Sequence, residues 1–402
     1  MPPTPSRVQL LTFSTLYPNA AAPNHGIFVE NRLRHLVQTD AVTATVVAPV
    51  PYFPFSGSIF GDWARHANAP RQESRHGLRV HHPRYAVVPR IGMNISPWLL
   101  YRSTLRVVRH LLAEGVRADI IDAHYLYPDG VAAVWLGRAL KLPVVITARG
   151  SDVTQLPDHA IPRRLIQTAM ARADALIAVS AALKDRMIAL GAPADKITVL
   201  RNGVDTILFR PGNRKVQRAA LGLDRPTLLS VGHLIERKGH HRVIEAMPAL
   251  ADHGLLIAGE GPERARLEAL IAKHKLGSRV RLLGARPHAE LPALYGAADA
   301  LVLASSREGW ANVLLEATAC GTPVLASAIP GNPEVVRAPE AGRLFHPNEA
   351  SAIVQAAQEL FATPPARTAT RAYAEAFSWD ETTRGQLTLF YRVLAERSQQ
   401  TS

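Results

Sequence analysis

The sequence predicts an α/β protein made of two doubly wound, parallel-sheet domains in succession, and three observations carry that expectation. Short apolar runs recur along the 402 residues, each followed by a helix-compatible stretch and most ending in a polar cluster. The alternation breaks between Thr206 and Arg225, at Phe209-Arg210-Pro211-Gly212-Asn213, and then resumes. A chain of this length, 47% hydrophobic and 20% charged, is long enough for two cores. The expected boundaries are 1–205, a linker over 206–226, a second domain over 227–378 and a terminal helical segment over about 379–402. Two such domains imply a central cleft that both face.

In the first half, Val8 to Phe13 reads as a strand, and Gly26 precedes a helical segment from Phe28 to Val37. A glycine in that position lets backbone approach a phosphate closely. Thr43 to Ala48 and Arg79 to His81 are further strands, whereas Pro49 to Gly77, rich in Pro, Gly and aromatics, reads as a long loop. Ile95 to Glu114 has helical spacing. Asp119 to Ala123 is a strand ending at His124, Asp129 to Leu140 a helix, and Val144 to Thr147 a strand ending at Arg149-Gly150-Ser151-Asp152. Strands Ala175–Val179 and Ile197–Leu200 end at Ser180 and at Arg201-Asn202-Gly203-Val204-Asp205. The carboxyl edge of such a sheet is where ligands bind. Each cluster also has a local reading: Asn202-Gly203 as a turn, Ser180 as a cap, Gly150-Ser151-Asp152 as a capping box, His124 as a structural histidine.

The second series places strands at Thr227–Val231, Leu255–Ala258, Val280–Leu283, Ala300–Leu303 and Pro323–Ala326. Helices fall at about Arg242–Leu250, Glu263–His274, Ala289–Tyr295, Asn312–Cys320 and Ala350–Ala362. After the first of these strands, Gly232-His233-Leu234-Ile235-Glu236-Arg237-Lys238-Gly239 offers a glycine bend and two cations before a helix, a cradle for a diphosphate. Gly259-Glu260-Gly261-Pro262 lacks the third glycine of a dinucleotide fingerprint.

The richest stretch is Ser305 to Pro323. Glu308 sits in a strand-to-helix loop, and Glu316, eight positions on, lies about one turn inside the helix that Asn312 can cap. Between them the amides of Gly309, Trp310, Ala311, Asn312, Val313 and Leu314 form an anion-friendly helix start. Amides for negative oxygens and carboxylates for hydroxyls suit a phosphorylated, hydroxyl-rich ligand. The chain has no Asp-x-Asp pair to hold a metal between carboxylates, so arginine, lysine and helix dipoles must meet the phosphates.

Composition narrows the setting. The lone Cys320 excludes an internal disulfide and reads as a buried helix residue in a reducing compartment. The start of the chain reads as a first strand rather than a signal peptide, and no apolar run reaches membrane-spanning length, so a cytoplasmic protein is expected. Residues 1–210 hold 24 Lys+Arg against 14 Asp+Glu, residues 211–402 hold 22 against 19, and the first 118 residues 13 against 5. That segment also carries Tyr52, Phe53, Phe55, Phe60, Trp63, Trp98 and Tyr101. Basic and aromatic residues mixed in this way suit peripheral contact with an anionic membrane, while no nucleic-acid-binding module is recognised.

The motifs together resemble those of retaining family 4 (group 1) glycosyltransferases of the GT-B superfamily, of the type that builds bacterial teichuronic acid and exopolysaccharides. The likeness rests on Gly26-Ile27-Phe28-Val29-Glu30, His124, Arg149 to Asp152, Asn202 to Asp205, Gly232 to Gly239, Gly259 to Pro262, and Glu308 to Glu316 with Gly321-Thr322-Pro323-Val324. It covers nearly the whole length. The resemblance implies that Glu316 binds ribose hydroxyls, that Glu308 contacts the donor sugar, and that Lys238 neutralises the diphosphate among the amides of Trp310 to Leu314. It further implies that Gly26 permits close approach of the first domain, that His124 holds the sugar from the opposite wall, and that Arg286 lies at the base-binding edge. The segment Trp379 to Arg397 would cross back to brace the first domain. Many relatives carry arginine where this chain has His233; either Arg237 replaces that charge, or the site is more sensitive to pH.

The resemblance implies transfer of a sugar from a nucleotide-diphosphate donor to a glycan or lipid-linked acceptor, with attack on the face of departure and the diphosphate oxygen taking the acceptor's proton. No cofactor or metal is called for. Two other readings use the same architecture: a sugar-nucleotide epimerase or phosphorylase, and a non-catalytic sugar-nucleotide-binding partner.

Overall fold

The computed structural model describes residues 7–57, 62–88 and 92–401; Phe60 of the aromatic set lies outside them. The chain divides into two units, one running to Arg201 and taking in the residues from Asp380 onward, the other spanning Asn202–Trp379.

In the first unit the strands are β1 (Val8–Phe13), β2 (Val42–Val47), β3 (Val50–Pro51), β4 (Gln72–Arg75), β5 (Leu78–His81), β6 (Arg84–Tyr85), β7 (Ile120–His124), β8 (Val144–Ala148), β9 (Ala175–Ala178) and β10 (Ile197–Val199). Eight of them form one sheet in the order β10-β9-β8-β7-β1-β2-β5-β4, with β3 and β6 paired apart. Every pairing in it is parallel except β4 with β5 at the edge. The central strands read as unbroken apolar runs because helices cover both faces. The order reverses between β1 and β7, so the loops after those two strands flank the crevice of this sheet.

Helix Trp379–Thr401 completes the first unit: Leu389, Phe390 and Val393 join Leu10, Leu33, Val46 and Val145 in its core. Gln386, fully buried, accepts from Arg32 Nε (2.7 Å) and donates to the Asp122 carboxylate (3.3 Å).

The stretch Pro49 to Gly77 is more structured than the loop expected there. It holds β3, helix Asp62–Asn68 and β4. The polar edge strand β4 is held by charge: Arg75 Nε lies 2.6 Å from the buried Glu30 carboxylate, and His82 Nε2 lies 2.8 Å from Glu73.

The second unit contains β11 (Thr227–Val231), β12 (Gly254–Ala258), β13 (Val280–Gly284), β14 (Ala300–Leu303), β15 (Val324–Ser327) and β16 (Gly342–Phe345), all parallel, in the order β13-β12-β11-β14-β15-β16. Its switch point falls between β11 and β14. The 206–226 stretch, read as linker, carries helix Arg214–Leu221, capped by the Asn213 side chain. That helix belongs to this unit because Arg218 Nη1 lies 2.9 Å from Asp299, whose carboxylate also accepts from the Thr227 amide that opens β11 (2.8 Å).

Candidate functional site

In the second unit, the loops after β11 and β14 meet at the switch point. Lys238 Nζ donates to Glu308 Oε1 at 2.7 Å, and Arg237 Nη1 lies 3.7 Å from Glu308 Oε2 while donating to the Arg307 carbonyl at 2.8 Å. The Glu308 side chain is 8% exposed and that of Lys238 17%. Gly239 makes this approach possible: it adopts φ +70°, and a Cβ there would lie 2.0 Å from the Ala304 carbonyl oxygen at the end of β14. The predicted diphosphate cation and the predicted sugar-binding acid are thus brought together, each holding the other.

The loop Gly232–Gly239 is pinned from beneath by His240, a residue that no sequence motif singles out. Ser230 Oγ donates to His240 Nδ1 (2.9 Å), and His240 Nε2 donates to the His233 carbonyl (3.3 Å). Burial pushes its pKa down to about 4, so the ring is a neutral anchor at pH 7. His233 itself is exposed and donates to the Glu260 carbonyl (3.1 Å), and Gly232 donates its amide to Ala258 (3.0 Å). Arg237 faces Glu308, whereas His233 turns to the Glu260 carbonyl.

The helix after β14 spans Asn312–Ala319. Asn312 does not cap it. Ala311 occupies that position with no side-chain cap, which leaves the first turn without a capping side chain, although the Leu314 amide already donates to the Ala311 carbonyl at 3.1 Å. Asn312 instead accepts from Asn202 Nδ2 at 3.2 Å. Gly309, Trp310, Ala311 and Leu314 are buried, and Val313 is half-buried at the same helix start.

One turn in, Glu316 accepts from the Tyr295 hydroxyl at 2.8 Å and from His288 Nε2 at 3.3 Å. Burial alone would lower the His288 pKa, but the Glu316 hydrogen bond and charge, with Asp205, raise it above the ordinary value. Phe209 packs its ring edge to face with His288 (centroids 5.0 Å apart). Tyr295 and His288 lie 21 and 28 residues before Glu316, so periodicity could not signal them; a Tyr on the helix preceding a ligand-bearing strand was the one hint. Arg286 stands at the surface, 3.6 Å from Glu290, in the loop after β13. Cys320 is buried at the helix end, its thiol pushed up to about 12 by burial first and Glu316 second, as an inert thiol should be.

The first unit differs. Gly26 adopts φ +66° at the start of helix Ile27–Val37, and a Cβ there would lie 2.3 Å from the Leu16 carbonyl, so only glycine allows the loop after β1 to fold back on itself here. Across the switch point, the fully buried Asp129 accepts from the Thr15 amide (2.7 Å) and hydroxyl (2.9 Å). Burial lifts its pKa to about 7, against the lowering effect of those hydrogen bonds. Asp152 is not a capping box: it turns back to accept from Gly150 (2.6 Å), Leu126 (2.8 Å) and Arg149 (3.1 Å) amides.

His124 is enclosed, 1% exposed. Arg149 Nη2 donates to its Nδ1 at 2.7 Å, and its Nε2 lies 3.2 Å from Asp122. Burial first, and Arg149 as well, hold its pKa down at about 4 against the pull of Asp122. Among the described residues no three His, Cys, Asp or Glu side chains gather as a metal site, and no helix is long and apolar enough to cross a membrane.

Residues 213–377 match the family described as glycosyl transferases group 1, and residues 58–208 match glycosyltransferase family 4. The chain is 32% identical over 302 residues to D-inositol 3-phosphate glycosyltransferase of Mycobacterium bovis, an alignment covering 69% of this chain; the chain spans 62% of that relative's length. Sucrose-phosphate synthase from Thermosynechococcus elongatus superposes with a TM-score of 0.80 at 23% identity, over 97% of this chain and 100% of that one. Anabaena Alr3699/HepE in complex with UDP-glucose superposes with a TM-score of 0.72 at 20% identity, over 96% and 99%. With both family matches lying end to end over two doubly wound units of the GT-B kind, the chain belongs to the family 4, group 1 glycosyltransferases.

Proposed function

We propose that this protein moves a sugar from a nucleotide-diphosphate donor to a hydroxyl acceptor, with retention of anomeric configuration and without a metal ion. The observation that carries the proposal is the meeting of Lys238 and Glu308 at the second unit's switch point, beside an uncapped helix start with Glu316 one turn further. Lys238, Arg237 and the amides from Gly309 to Leu314 are cations and dipoles placed where a departing diphosphate gains charge, and they strengthen their hold as that charge grows. Glu308 takes hydroxyls of the sugar. Glu316, oriented by Tyr295 and His288, takes those of the ribose.

In the step itself the bond from the anomeric carbon to the diphosphate oxygen breaks as the acceptor oxygen bonds to that carbon on the same face. The acceptor's proton passes to the departing diphosphate oxygen, so no carboxylate nucleophile is required.

For the acceptor, we favour a lipid-linked glycan intermediate at an anionic membrane. The first unit exposes Tyr52, Phe55, Trp63, Met93 and Trp98, with Arg102 over the Trp98 ring at 5.2 Å, a mixture suited to a headgroup layer. A phosphorylated polyol is the second reading, favoured by the identity to the inositol-phosphate enzyme. Calorimetry with UDP-, GDP- and ADP-sugars in the presence of EDTA, followed by transfer to lipid-linked glycans or inositol phosphate with the anomer read by NMR, tests all of this. Failure of every donor to bind ends the proposal; turnover without an added acceptor favours an epimerase or phosphorylase instead.

A further inference from the structure

We infer that Glu308 also serves as an internal stand-in for the donor's diphosphate, seated on Lys238 until a sugar nucleotide displaces it, so that the site discriminates against a nucleoside diphosphate that has lost its sugar. The inference rests on the donor-site reading. It starts from an observation which that reading does not require: both Glu308 oxygens face the cations assigned to the diphosphate, Oε1 at 2.7 Å from Lys238 and Oε2 at 3.7 Å from Arg237.

The lysine is the fixed member of the pair. Its backbone is clamped between Gly239, which closes on the Ala304 carbonyl, and a loop anchored by His240. Its stem runs over Gly232, where an added Cβ would sit 3.5 Å from Lys238 Cδ. On this exchange a diphosphate reaching the ammonium displaces the carboxylate rather than drawing the lysine away.

The fate of the displaced carboxylate depends on the ligand. It faces phosphate oxygens of its own sign, a juxtaposition that weakens binding unless another donor satisfies it. A sugar nucleotide supplies that donor, because a sugar hydroxyl can hydrogen-bond to Glu308. A bare diphosphate cannot. Repulsion thus sharpens selectivity for the loaded donor. Once the sugar has moved, Glu308 loses its hydroxyl partner and returns to Lys238, which speeds departure of the spent nucleotide.

The test is a double-mutant cycle read by calorimetry with UDP, GDP and ADP, each with and without its sugar. Glu308→Gln keeps the shape and removes the charge. It is expected to bind the preferred diphosphate about tenfold tighter than the parent, as removal of a like charge beside the phosphates should, and to lose much of the preference for the sugar-bearing form. In a Lys238→Met background the same change should tighten diphosphate binding by clearly less than about tenfold, since only one of the two contested cations, Arg237, remains. Glu308→Asp, with its carboxylate drawn back from Lys238, provides a second variant expected to tighten binding less. Parent binding with unchanged or weakened diphosphate affinity in Glu308→Gln overturns the exchange and leaves the donor-site reading standing. Absence of binding by the parent to all six ligands overturns both.

Discussion

The two units meet the same topological problem with different chemistry. Each sheet reverses its order between two neighbouring parallel strands, β1 and β7 in the first, β11 and β14 in the second, and in each a side-chain contact bridges the loops after them. In the first unit the bridge is Asp129 to Thr15, sealed from solvent and neutralised in part by its own burial. In the second it is Lys238 to Glu308, a largely buried ion pair whose lysine keeps 17% of its side chain exposed. A fully sealed bridge holds a loop in place; a charged one that keeps partial access to solvent can be traded for a ligand. The same contrast separates His124, locked between Arg149 and Asp122, from His288, which shares Glu316 with a tyrosine. Polar groups at the carboxyl edge of a doubly wound sheet are thus not interchangeable evidence of a ligand site.

The contrast is sharpest in Glu308→Ala. Transfer between a matched donor and acceptor should fall about a hundredfold or more with melting unchanged, the pattern of an interaction used in the reaction; turnover within tenfold of the parent would remove Glu308 from the chemistry. Asp129→Ala should show the reverse, a loss of about 2 kcal/mol in hydrogen-exchange protection of the first unit, since the Thr15 amide and hydroxyl lose a buried partner. A loss matched by Lys238→Met in the second unit would dissolve the distinction.

Tyr295→Phe removes one of two donors to Glu316 and should weaken nucleotide binding about fivefold, roughly 1 kcal/mol, read by calorimetry. The smallest effects are in pH. Asp129 has a folded pKa near 7, above its unfolded value of 3.8. The stability it contributes is therefore full below about pH 4 and is lost as pH rises toward 7. Asp129→Asn should flatten that part of the stability profile, with Asp152 the neighbouring charge that reinforces it. His288, also raised, gives stability that is full below its unfolded value of 6.5 and lost as pH rises through its folded value, so His288→Gln should flatten the profile just above pH 6.5. A parent profile without either slope removes these two assignments.

Much of this was legible in the sequence because buried parallel strands are continuous apolar runs, and β7, β8, β11 and β14 stand out as such. The Glu308 to Glu316 spacing marked the second crevice for the same reason that it works: a loop and one helical turn put both acids near one edge. What escaped was set by tertiary contact. Strand β4 is polar and gains its place from Glu30, and helix Arg214–Leu221 buries no residue of its own and gains its place when Asp299 gathers its arginines. His240 and His288 carry no local signature and Tyr295 only its place on the helix before β14, since each matters through a side-chain or carbonyl partner that periodicity does not point to. The burial of His124 was invisible for the same reason: Arg149 lies 25 residues on, and nothing between them announces the contact.

The helix that ends the described chain places a constraint on biosynthesis. Gln386 is joined to Arg32 across 354 residues and to Asp122 across 264. A ribosome making this protein exposes the first sheet long before it delivers the glutamine that satisfies those two buried charges. The nascent amino-terminal half must therefore wait, incompletely sealed, while the whole second unit is translated and folds. Chains released early, short of that glutamine, would carry their defect at the opposite end from the missing residues.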